Sequence, residues 1–87
     1  MKEYLLETIS HPVYGGVCML FKFPNLYGAS VVRHKRSLGG LAGLFELAPL
    51  EFDTEGKVKL NKGIDKNNIG YLFWEEVVEI LYDIKSL

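Results

Sequence analysis

At Phe73 the spacing of apolar residues changes, and that change most constrains what the chain can fold into. From there Phe73, Trp74, Val77, Val78, Ile80, Leu81, Ile84 and Leu87 recur at three- and four-residue steps, with Glu75, Glu76, Glu79, Asp83 and Lys85 between them. The spacing predicts an amphipathic helix over 73–87. Glu75 and Glu76 suit the positive end of its dipole and Lys85 suits the last turn. No Ser, Thr or Asp stands at the capping position, where Leu72 or Phe73 falls instead. Asp65, Asn67 and Asn68 upstream are expected to cap a short turn running to Gly70.

Ahead of the helix the chain reads as short strands divided by turn residues. Tyr4–Ser10 is ended by His11-Pro12, because proline lacks an N–H and restricts the residue before it. Tyr14-Gly15-Gly16 reads as a hairpin tip. Val17–Phe23 then places Val17, Met19, Phe21 and Phe23 on one face and Cys18, Leu20 and Lys22 on the other. Pro24-Asn25 marks the next turn. Leu26–His34 forms a third strand and Gly43–Phe52 a fourth, where Pro49 argues for a free edge or a bulge. Asp53–Gly56 is a turn, and Lys57–Asn61 alternates like an edge strand.

Consecutive strands with short connections favour an antiparallel meander, across one face of which a lone terminal helix must lie. The expected fold is therefore α+β: four to five antiparallel strands packed against one C-terminal amphipathic helix. Eighty-seven residues hold one such domain, spanning 1–87. The second face of the sheet is then either covered by the N-terminal segment and loops or offered to a partner.

Composition narrows the function. A net charge of −1 creates no global attraction for polyanions, although residues 1–50 hold five Lys/Arg against three acids and 51–87 hold five against eight. Cys18 is the only cysteine, so no internal disulfide forms, and its apolar neighbours suggest an inert buried thiol. The apolar stretch over 38–50 is broken by Glu46 and Pro49 and is shorter than the roughly 20 residues a membrane helix needs. No membrane partner and a cytoplasmic location are expected.

The motifs are few. Ser37–Gly43 is glycine-rich but has neither the spacing of a dinucleotide loop nor that of a P-loop, and it is expected to be a flexible connection between strands. His11 and His34 lie far apart in sequence, and no Cys/His/Asp grouping has zinc-ligand spacing, so neither metal nor cofactor is expected. A Cys18–His34 nucleophile and base pair would have to assemble in space, and nothing in the sequence asks for it. No catalytic residue is assigned. The run Arg33-His34-Lys35-Arg36 stands out more. Strand alternation sends Arg33 and Lys35 to one side and His34 and Arg36 to the other, with Tyr14, Phe23 and Tyr27 as candidates for stacking.

Phe23–His34, the glycine-rich loop, Gly43–Ala48 and Ile69–Leu72 together resemble a group of small accessory proteins encoded by bacteriophages and prophages. The resemblance covers roughly residues 23–84. It departs from the group at Phe73-Trp74, where Ser or Thr is expected to cap the helix. It implies a context, in which such proteins act by binding host machinery, defence systems included. The expected role is thus a non-enzymatic accessory protein that binds a host protein, as an inhibitor of defence, through Tyr27, Arg33, His34, Lys35, Arg36, Gly39 and Gly40. The alternatives are nucleic-acid binding by the same basic patch, and a virion assembly role as a homo-oligomer.

Overall fold

The computed structural model describes residues 1–59 and 68–87. Five strands follow one another across a single sheet: β1 (Leu5–His11), β2 (Gly15–Lys22), β3 (Tyr27–Arg33), β4 (Phe45–Glu51) and β5 (Ile69–Leu72). Every neighbouring pair is antiparallel. Helix α1 (Trp74–Lys85) closes the chain and lies over β3, β4 and β5. The fold is the expected α+β meander.

Alternation explains which side chains meet the helix. Met19 pairs with Val31 and Phe21 with Ala29, while Val31 also pairs with Leu47, so these residues share one face. On that face Phe21, Phe23, Ala29, Val31, Leu47 and Leu72 are buried against Val77, Leu81 and Ile84 of α1. Glu76 accepts a hydrogen bond from the Phe73 N–H at 3.0 Å, half of a capping box, although phenylalanine has no oxygen to return the bond. The other end of α1 is tied down from a distance. The Asn25 amide, in the β2–β3 turn, donates to the carbonyls of Ile84 and Lys85 at 3.0 Å and of Leu87 at 3.3 Å. Its Oδ1 accepts from the Tyr27 N–H. The Ile84 and Lys85 carbonyls are among the last four of α1, which have no intrahelical partner.

The structure corrects the last strand. Of Lys57–Asn61, expected as an edge strand, the described residues 57–59 make only an isolated bridge, Val58 to Phe52, and residues 60 and 61 lie outside the described residues. Asp53 dominates here, because its Oδ1 accepts from the Glu55 and Lys57 N–H groups and folds this stretch into a tight turn. The fifth strand is Ile69–Leu72, where Leu72 pairs with Phe45 and Ile69 with Leu47. Tertiary pairing overrides the turn-like Asn68-Ile69-Gly70; of the expected cap, Asp65 and Asn67 lie outside the described residues and the Asn68 amide donates to Glu46 Oε2 at 3.1 Å. Among the described residues, Pro49 falls beyond the part of β4 that pairs with β5.

The N-terminal segment packs on the helix side of the sheet, where Tyr4 meets Phe23 edge-on at 5.3 Å. The opposite face carries Cys18, Leu20, Ser30, Val32, Ala48 and Leu50, all half-buried.

Candidate partner-binding surface

The β1–β2 turn and the end of β3 meet because Gly16 lets them. Gly16 has φ +72°, and a Cβ there would fall on the Arg33 carbonyl, so only glycine allows the hairpin to lie this close. The approach brings together side chains that are distant in sequence. The rings of His11 and Tyr14 stack with centroids 4.6 Å apart, Tyr14 and His34 stack at 5.5 Å, and the two histidines lie 5.4 Å apart. The Arg36 guanidinium sits 5.7 Å from the Tyr14 ring centroid, within reach of a cation–π contact.

The backbone sets the chemistry of both imidazoles. His11 Nδ1 accepts from the N–H groups of Val13 and Tyr14, each at 3.1 Å, and His34 Nδ1 accepts from the Arg36 N–H at 3.1 Å. A nitrogen that accepts carries no proton, so each neutral ring holds its proton on Nε2. Both rings therefore offer donors. Metal ligation through Nε2 would require a second deprotonation while these turns persist, which disfavours the pair as a metal site. Among the described residues, no three His, Cys, Asp or Glu side chains gather.

The cations at this end are exposed. Arg33 lies over the Phe45 ring at 4.9 Å, on the helix side of the sheet, whereas Arg36 joins the ring cluster. The two sides expected from strand alternation are thus occupied by different aromatic partners. The ion pairs among the described residues are Met1 with Glu3, Lys57 with Glu55 and Lys59 with Glu51. None of them involves Arg33, Lys35 or Arg36.

The remaining expected site residues separate from this cluster. Tyr27 begins β3 and Arg33 ends it, which puts them roughly 20 Å apart along an extended strand. Tyr27 packs against the core instead. Gly39 is buried, with φ +88°, and a Cβ on Gly40 would fall on the His34 carbonyl; both shape the loop from within. That loop is not the flexible connection the composition suggested. Ser37 Oγ donates to the His34 carbonyl and accepts from the His34 N–H, both at 2.9 Å. The Leu38 N–H donates to Glu46 at 2.8 Å, and the Leu38 carbonyl accepts from the Tyr71 N–H.

Cys18 has Ser30 Oγ as its polar neighbour, with sulfur and oxygen 3.7 Å apart. His11 was not legible as a site residue, because nothing local links it to a residue 23 positions away. The Gly16 contact that joins them exists only once the hairpin is packed. The surface as a whole combines fixed cations with imidazole donors and suits acceptor groups such as carboxylates and phosphates. In comparisons with protein-family models, curated proteins and solved structures, the chain matches none.

Proposed function

We propose that this domain is a non-enzymatic binding module that seats an acidic surface of a protein partner on Arg33, Lys35 and Arg36, with His11, Tyr14 and His34 as the supporting platform. The observation that carries it is the exposed trio of cations, unpaired with any carboxylate among the described residues, with Arg36 held against the stacked rings and Arg33 against Phe45. Arginine and aromatic groups held in place are efficient interface anchors, since little side-chain entropy remains to be lost on binding. In the phage context of the resemblance, the partner is a host protein, the setting is the host cytoplasm, and binding inhibits a host function such as defence.

A nucleic-acid partner fits the same charges less well. The Tyr14 ring is already engaged by His11, His34 and Arg36, which leaves less free ring surface for bases than a stacking platform needs. The test is capture of partners from a bacterial host lysate by the wild type and by an Arg33→Glu/Arg36→Glu variant of unchanged melting temperature. A protein retained by the first and lost by the second supports the proposal. Equal retention overturns it, as does oligonucleotide binding that falls steeply with salt.

A further inference from the structure

A single helix is too narrow for this sheet. Five strands spaced by about 4.8 Å span roughly 19 Å, whereas a helix is about 10 Å across. With α1 over β3, β4 and β5, the inner faces of β1 and β2 are left beside it as an apolar groove of about 380 Å³. Its floor is Met19 and Phe21, one wall is Leu5 with the Met1-Lys2 segment, and the other wall is Trp74, Val78 and Tyr82. That second wall is a stripe at four-residue steps along α1, about 12 Å long at 1.5 Å per residue.

We propose that this groove docks an amphipathic helix of the partner, bearing large aliphatic or aromatic residues at positions i, i+4 and i+7 and a carboxylate near the end that points to Arg33. The proposal rests on the partner-binding reading above and adds a second contact to it. Three such anchors extend over about 10.5 Å, which matches the length of the α1 wall. The volume suits a few large side chains. Among the described residues, Lys2 is the one charged side chain lining the groove, and the Met1 amino group beside it is paired with Glu3, so the site has few of the convergent polar groups that orient a small ligand.

Charge marks the Trp74 end of the groove. The Arg33 guanidinium lies 4.9 Å from the Phe45 ring centroid, and Phe45 lies 5.4 Å from Trp74, so the groove wall continues directly into the basic surface. Neither Arg33 nor Lys2 forms an ion pair among the described residues. Glu75 and Glu79 follow Trp74 and Val78 by one position, about 100° further round α1, and are exposed. The partner's carboxylate is therefore placed at the end where the unpaired Arg33 meets the groove.

Trp74 is the only tryptophan in the chain and lines the groove, so its fluorescence reports occupancy directly. The probe is a synthetic 15-residue helical peptide with Leu at i, i+4 and i+7 and Glu at one end, beside a scrambled peptide of the same composition. The expected result is a saturable blue shift with the first peptide alone. It should weaken at least tenfold in Tyr82→Glu, a change at an exposed wall position, and Val78→Ala serves as a milder second variant. Absence of a saturable shift, or equal response to the scrambled peptide, overturns the proposal. So does a dimer seen by light scattering that Tyr82→Glu abolishes, which would give the groove to a second copy. A shift with dodecanoate that the helical peptide does not compete would likewise overturn it. If lysate capture survives Tyr82→Glu but not Arg33→Glu/Arg36→Glu, the basic surface stands and the groove falls.

Discussion

The two halves of the sheet are built from similar strands, yet only one is covered. In β3, Ala29 and Val31 are fully buried, and Leu47 of β4 joins them under Val77 and Leu81. In β1 no residue is buried, and Leu6 and Ile9 are each more than half exposed. The β1–β2 pairing also shifts register twice, between Leu5 and Glu7 and between Ile9 and His11, whereas β2–β3 and β3–β4 run without a break. Such bulges blunt an edge strand against unwanted pairing. The difference teaches a division of labour. The helix-covered half holds the fold together, and the more open hairpin half lends His11 and Tyr14 to a surface whose cations come from the end of β3 and the loop after it.

The largest effect is expected where that division is sharpest. Leu81 is fully buried, so Leu81→Ala should cost about 2–5 kcal/mol through lost burial and a residual cavity. Leu6→Ala in β1 should stay within about 0.5 kcal/mol. Chemical denaturation of the two variants checks this, and similar midpoints would erase the contrast. Next comes Gly16→Val, which should cost about 1–3 kcal/mol because a side chain meets both a positive φ and the Arg33 carbonyl. In NMR spectra it should also move the His11, Tyr14 and His34 ring signals together. Independent responses of the three rings would mean that Gly16 does not hold the cluster. A smaller loss, about 1–2 kcal/mol, is expected for Asn25→Ala, which leaves the carbonyls at the end of α1 without that donor. Here hydrogen exchange should quicken in the last turn of α1 while β1 is unaffected.

The fold was largely legible because its signals are periodic. The change of spacing at Phe73 and the turn residues at Pro12, Gly15-Gly16 and Pro24-Asn25 placed the helix and the first four strands to within a few residues. The fifth strand was not legible, since Ile69-Gly70-Tyr71-Leu72 is only four residues long, is interrupted by Gly70 and follows turn-prone Asn67-Asn68, and it is held by Phe45, Leu47 and the Leu38 carbonyl. Asn25 read as a turn residue, but its hold on the end of α1 spans about sixty positions and leaves no local trace.

The candidate surface was legible in its charges and not in its assembly. Arg33 to Arg36 stood out as a run, whereas His11 joined them only through the packed hairpin. Tyr27 looked close in sequence but occupies the opposite end of the strand, because an extended chain separates what a short sequence interval suggests is near. Gly39 and Gly40 signalled a special backbone, and the structure gives that backbone an internal reason.

Native-state hydrogen exchange resolved by residue tests the division of labour most directly. The amides of Ala29, Val31 and Leu47 should exchange most slowly, through global unfolding, while Glu7 to Ile9 of β1 open at distinctly lower free energy. Equal protection across β1, β3 and β4 would show a sheet that opens as one unit and would contradict the separation of a stabilising, helix-covered half from an open hairpin half.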